Sequence, residues 1–446
     1  MSEATPVAEV ARKRIGAPPG HGRFPPVPPP PRWVRSEWEI LDEQGGALGL
    51  TLWQSLRDVL LWSAVHSSKR RGLFRPVRAS QQDLLARAIA AAPELADALR
   101  DLAQLSVVPE STDAARVAAA CEAVWMWAEA RGKHGTAIQF AEVAAKLEPK
   151  SSPRSYAAGR LCRMAADYER GVIWFRRAGR LARRAKPCSQ VDRAIAHLGW
   201  GHLEHDQGNL GLAERHFLIG RTAALRNGPK SVAAAAHHDL FCVCVDARRF
   251  EEAEEYAEQA IGLYPDKDAR VPYLACDIGV LWQYQSYFSS TIYLFAKALP
   301  WIAASRDRSH ILALFARSAA AVQDRVRFER AATKALEVVP GGHDRADIIL
   351  SHVAEGLASL GEWDRAERLA QQAAKIARAR KNRIILETVD ILLVRIANRE
   401  FGDRDIVPEQ GGSVERITSM VLQKLRGWPV PSPLDPSVVL FPGVLV

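Results

Sequence analysis

Residues 198–217 read LGWGHLEHDQGNLGLAERHF. Leu198, Gly199, Trp200 and Gly201 belong to one apolar stretch, Gly208 and Asn209 break it, and Leu210, Ala213 and Phe217 open a second at helical spacing. The pattern predicts a helix, a tight turn closed by a left-handed glycine, and a second helix packed back on the first. The three-residue step from Leu210 to Ala213 is repeated at His134…Ala137, Tyr168…Gly171, Phe250…Ala253, Phe288…Thr291, Phe328…Ala331 and Trp363…Ala366. Successive small residues stand 34, 42, 40, 38, 40 and 35 positions apart. Periods of this size with helical texture mean stacked units, each burying its apolar face on the next.

Composition agrees. Only 7% of the 446 residues are aromatic, while alanine, leucine and arginine dominate, which favours helix over sheet. The formal charge of +9 permits an acidic partner without demanding nucleic acid. The six cysteines lie inside apolar helical stretches with no C-x-x-C spacing, the pattern of small buried hydrophobes in a reducing compartment. The N-terminal stretch lacks the apolar core of a signal peptide, and no run of eighteen apolar residues spans a membrane, so a cytoplasmic location is expected.

Working outward, residues 1–32 form a proline-rich tail expected to be disordered or polyproline II, with an R-x-x-P-x-x-P match at Arg23, Pro26 and Pro29. Residues 33–110 are helical without the repeat and are expected to cap the array. Residues 111–400 hold the array, opened by a Ser111 or Thr112 cap and closed by a helix with Ile385, Val389, Leu392, Leu393 and Ile396 on one face. Residues 401–446 hold one short helix and a proline-broken apolar tail.

Other units follow the same plan: Val124-Trp125…Gly132…Ala137…Ala144…Pro149, Gly279…Phe295…Ala298-Leu299-Pro300, and Val353…Leu357…Gly361…Ala366. These residues resemble the tetratricopeptide repeat family, whose pattern is W-x-x-L-G-x-x-Y…G…A…F…A…P over 34 residues. The resemblance covers about residues 115–400. Five steps exceed 34, and the sixth unit, Phe328…Ala331, lacks the glycine. What the resemblance implies is an all-α fold: a right-handed superhelical solenoid of about seven helix-turn-helix repeats behind an N-terminal helical cap. Repeats near forty residues are also similar to the peptide-sensing regulators of Gram-positive bacteria.

In that architecture first-helix residues off the packing face line a concave groove. The register places Tyr156, Arg160 and Arg163 there in the second repeat, His202, His205 and Asp206 in the third, His238 and Asp239 above Cys242 in the fourth, and Tyr273, Asp277, Gln283 and Tyr284 in the fifth. Glu122 and Glu129 of the first repeat, and Arg317, His352 and Glu355 further on, share the same register. Arginine forks suit carboxylates and tyrosines give flat anchors, so an extended peptide or acidic segment across repeats two to five is expected. His202, His205 and His238 could converge on a metal with Asp206 or Asp239, but no cysteine completes that set, and no metal or cofactor is expected. Arg176, Arg177, Arg180, Arg183, Arg184 and Lys186 form a basic stripe on a second helix, without an aromatic platform for bases, and EEAEEYAEQA is an acidic face; oligomers could pair the two.

No phosphate-cradling glycine loop, G-x-S-x-G or H-E-x-x-H is present, so no catalysis is expected. The sequence reads as a scaffold binding a protein or peptide in the groove, with no nucleic acid or membrane. The alternative is a regulatory protein that senses a peptide and switches a partner's activity.

Overall fold

A computed structural model describes residues 36–74, 79–185, 187–302, 305–339, 345–380, 383–401 and 412–426. The whole proline-rich tail, including Arg23, Pro26 and Pro29, and the apolar C-terminal tail lie outside them, as does Lys186. The chain is all-α, a helical solenoid, with no strand among the described residues. It divides into two compact units, Met1–Val232 and Ala233–Val446.

The first unit begins with α1 (Ser36–Gln44), α2 (Gly46–Ala64), α3 (Ala79–Ala91) and α4 (Ala96–Val107). Three hairpins follow: α5 (Ala114–Ala130) with α6 (His134–Leu147), α7 (Ser152–Met164) with α8 (Tyr168–Arg184), and α9 (Gln190–Asp206) with α10 (Leu210–Asn227). The helices before the hairpins join the same core: Leu52, Val59 and Trp62 cluster with Val124, Phe140 and Leu161. One polar contact fixes their seating. The Glu43 carboxylate accepts from the Gly135 and Thr136 amides, each at 2.8 Å, and from the Thr136 hydroxyl at 2.6 Å. A side chain 92 residues away thus caps the start of α6, whose own residue Lys133 offers no cap. The cap of α5 is Asp113, which accepts from Ala115 N at 3.2 Å, rather than Ser111 or Thr112.

The second unit has four hairpins: α11 (Lys230–Asp246) with α12 (Phe250–Leu263), α13 (Val271–Tyr284) with α14 (Phe288–Ala298), α15 (Ser305–Ala321) with α16 (Arg325–Leu336), and α17 (Ala346–Ser359) with α18 (Trp363–Ala379). Helix α19 (Arg383–Ala397) covers the last hairpin with Val389, Leu392 and Ile396 buried. Helix α20 (Gly412–Leu425) turns back on α12, α13 and α14. Val414, Ile417, Val421 and Leu425 enter the core there, while Arg416 pairs with Glu258 and Lys424 Nζ reaches Asp266 Oδ1 and the Tyr264 carbonyl, both at 2.9 Å. The sequence places this helix but not its destination.

The register marks turn out to be structural boundaries. His134, Tyr168, Leu210, Phe250, Phe288 and Trp363 are each the first residue of a second helix; in the sixth hairpin α16 starts three residues ahead of Phe328. Two positions before each second helix the backbone is left-handed: Gly132, Ala166, Gly208, Arg248, Ser286, Gln323 and Gly361, with φ between 58° and 77°. The next amide bonds in every case to the carbonyl five residues back, from Lys133 to Ala128 through Glu362 to Leu357. All seven hairpins therefore close their first helix with the same Schellman turn.

Small residues on first helices receive rings from second helices. A Cβ on Gly201 would stand 2.4 Å from Phe217 Cε1, on Gly279 2.4 Å from Phe295 Cε1, and on Gly356 2.7 Å from Phe328 Cε2. The first two contacts set the close approach within a hairpin, and the third sets that between α16 and α17 of successive hairpins.

Candidate functional site

In the first unit the first helices α5, α7 and α9 carry the predicted groove residues. Arg160 forms a fork with both carboxylate oxygens of Glu129, one arm at 2.6 Å, with its guanidinium also 5.9 Å from the Trp125 ring centre. The Glu129 carboxylate, ahead of the opposing effect of burial, holds the Arg160 pKa above its ordinary value. Arg154 joins Glu122 at 3.2 Å and Glu148 at 2.8 Å, and Arg163 joins Asp206 at 2.9 Å. Tyr156 leans on Phe175, ring centres 5.8 Å apart, and His202 sets its ring edge-on to Phe217 at 5.2 Å. His205 is half-buried on α9. The arginines expected to receive a ligand's carboxylates thus hold carboxylates of neighbouring first helices. The signal was in the sequence: Glu122, Glu129 and Asp206 share their register one repeat away.

In the second unit three predicted residues meet. His238, on α11, lies 2.8 Å through Nε2 from Asp277 Oδ2 on α13 and 3.2 Å through Nδ1 from the Tyr264 hydroxyl. Cys242, one turn along α11, completes a set of donor atoms all within 4.8 Å of one another. Burial, reinforced by Asp277, Asp239 and Asp246, pushes its thiol pKa well up. A cysteine therefore does stand beside His238, together with Asp277 rather than with His202 and His205. Asp239 and Tyr273 are half-buried. Gln283 is not a groove residue. It is 3% exposed and donates its amide to the Leu314 carbonyl at 2.7 Å and the Ser318 hydroxyl at 2.5 Å, because the end of α13 packs beneath α15. Arg317 and Glu355 pair at 2.9 Å, and His352 stacks on His310 with ring centres 5.6 Å apart. Burial, then Arg317, lowers the His352 pKa to about 3.

The basic stripe divides. Arg177 turns inward, 2% exposed, and donates to the Pro149 carbonyl at 2.8 Å. Arg176, Arg180 and Arg183, spaced four and three apart, share the exposed face of α8. With Arg193, His197 and Trp200 of α9 they line a pocket of about 360 Å³. None of the four arginines pairs with a carboxylate among the described residues. The Trp200 indole lies between His216, 4.2 Å centre to centre, and the Arg176 guanidinium at 5.6 Å. His197 and His216 face each other through Nδ1 at 3.0 Å, so one donates and the other accepts. Burial, then His216 and Arg193, lowers the His197 pKa to about 4. An aromatic ring therefore does stand among these arginines, which the linear stripe did not reveal because Trp200 lies on the next helix.

No family model matches the sequence, and no curated protein matches it. Solved structures with a similar fold include the apo form of RapI (13% identity, 62% of this chain and 96% of that one, TM-score 0.40). Others are a Rap protein complexed with competence and sporulation factor (10% identity, 80% and 99% covered, TM-score 0.40) and BtubC from P. vanneervenii (16% identity, 52% and 94% covered, TM-score 0.38). Likeness at this level carries no functional argument. Among the described residues no helix is long and apolar enough to cross a membrane.

Proposed function

We propose that this chain is a non-catalytic scaffold that binds a protein or peptide partner through an acidic segment. The observation that carries the reading is the set Arg176, Arg180, Arg183 and Arg193 around one pocket of the first unit. Like charges held together without carboxylate partners repel one another, and an acidic ligand relieves that repulsion. The first-helix arginines support the reading less well, since a ligand at Arg160 or Arg163 has to displace Glu129 or Asp206. The free thiols suit the reducing compartment expected for a cytoplasmic protein.

The test is fluorescence anisotropy with a labelled glutamate-rich peptide and the full chain. Exposed charge pairs contribute about 0.2–1 kcal/mol each, so reversing three arginines (Arg176→Glu, Arg180→Glu, Arg183→Glu) is expected to weaken binding about tenfold or more. Added salt is expected to weaken the wild type and to leave the variant little changed. Undiminished binding by the triple variant, together with loss in Arg163→Glu, returns the site to the first-helix row. Tighter capture of a single-stranded oligonucleotide than of the peptide overturns the protein-ligand reading.

A further inference from the structure

Helix α11 carries His238 and Cys242 four residues apart, so both side chains leave one face. Asp277 approaches that face from α13, and the three donor atoms lie within 4.8 Å of one another. We propose that His238, Cys242 and Asp277 bind a zinc-class divalent ion, with a fourth coordination position open to solvent.

The donor set is the first reason. Imidazole, thiolate and carboxylate are the three protein ligand types of zinc, and three such ligands with one exchangeable position is its usual open arrangement. A thiolate beside an imidazole argues against magnesium and calcium, which take oxygen. Orientation is the second. The Tyr264 hydroxyl, 3.2 Å from His238 Nδ1, holds the ring so that Nε2 faces Asp277. A partner on the far nitrogen of a ligating histidine is what fixes such a ring for a metal. Tyr264 is itself 1% exposed, so its position is set by the core. Charge and access are the third. Asp239 and Asp246 sit on the same helix close enough to act on the Cys242 sulfur, which favours a cation. The nearby Arg270, over the Tyr264 ring at 5.0 Å, is tied to Asp268 at 2.8 Å. His238 is mostly covered, 12% exposed, whereas Asp277 is 44% exposed and leaves a path from solvent. On binding, the ion replaces the hydrogen bond between His238 and Asp277 with two coordinate bonds; the Nε2 proton is lost to solvent and Nδ1 takes one up, so that Nδ1–H then donates to the Tyr264 hydroxyl. The Cys242 thiol proton leaves to solvent as the sulfur–metal bond forms.

The experiment uses the full-length chain carrying Cys188→Ser, which removes the exposed thiol. The protein is reduced, stripped with chelator and titrated with Co2+, then with Zn2+. One equivalent of Co2+ is expected to bind with a thiolate-to-cobalt charge-transfer band that Zn2+ erases. Cys242→Ser is expected to lose that band. Asp277→Asn, at a half-exposed position where circular dichroism should stay native, is expected to lose stoichiometric binding. Tyr264→Phe keeps the three ligands and is expected to bind about 10–100-fold more weakly with the band intact. No charge-transfer band in the reduced chain, or a band undiminished in Cys242→Ser, overturns the site. The acidic-peptide reading concerns the other unit and stands or falls separately.

Discussion

Four of the seven hairpin turns place a residue with a side chain where the backbone needs positive φ: Ala166, Arg248, Ser286 and Gln323. An L residue in that region costs about 1–2 kcal/mol, of which glycine's larger unfolded-state entropy returns a part. Ala166→Gly and Ser286→Gly are each expected to stabilise the fold by about 0.5–1 kcal/mol in chemical denaturation, and Gly208→Ala to destabilise it by about 1 kcal/mol. Equal midpoints for all three variants would refute the argument. The turns also show what the sequence reveals and what it hides. Gly132, Gly208 and Gly361 announce their turns, whereas the sixth hairpin, which lacks the glycine, makes the same turn with Gln323. Depth is hidden in a similar way. Gln283 shares a register with half-buried Glu129, Arg163 and His205, and only the packing of α13 under α15 shows its amide nitrogen satisfied inside. Arg160 and Arg163 announce charge, but their neutralisation depends on residues 31 and 43 positions away.

At the scale of elements, helix ends and helix pairs carry the testable content. The α6 N-terminus depends on Glu43, which satisfies two amides and one hydroxyl at once. Glu43→Ala removes a cap and leaves those donors without it, so a loss of about 1–2 kcal/mol is expected, with earlier hydrogen exchange at the Gly135 and Thr136 amides. The pair of α9 and α10 is pH-sensitive through His197, and α17 through His352. Both histidines have folded pKa values lowered from 6.5, to about 4 and about 3. The unfolded chain therefore binds protons that the folded chain does not, and stability falls as pH drops from about 6.5 towards 4. The His197 contribution is complete above its unfolded pKa and is lost progressively below it. His197→Gln is expected to flatten the stability–pH profile in that window, measured by denaturant midpoints; an unchanged slope would rule out the assignment. Helix boundaries were largely legible from the repeated large-to-small step, because in six of the seven hairpins its large residue opens the second helix, two positions after the left-handed turn. The pocket around Trp200 was not, since its arginines and its ring come from two helices.

At the scale of the whole chain, repeat periodicity was enough to read an all-α solenoid, because every unit solves the same packing problem with its neighbour. What periodicity cannot show is a contact that skips neighbours. The return of α20 to α12, α13 and α14 is such a contact, with 158 positions between Arg416 and Glu258. Replacing Ile417 and Val421 by alanine is expected to cost about 3–6 kcal/mol together and to expose amides of α12–α14 to exchange along with those of α20. Exchange confined to α20 would mean that it only rests on the surface.

That return has a consequence for how the second unit comes apart. A linear stack can fray from its last hairpin inward, one unit at a time. Here α20 is fastened beside α12, α13 and α14, so α15–α19 lie between two anchored points. Peeling from the C-terminal end first requires release of α20, which also strips cover from α12–α14. Loss of α20 and loosening of α12–α14 are one event, and the second unit behaves as a ring of dependencies where the sequence describes a row.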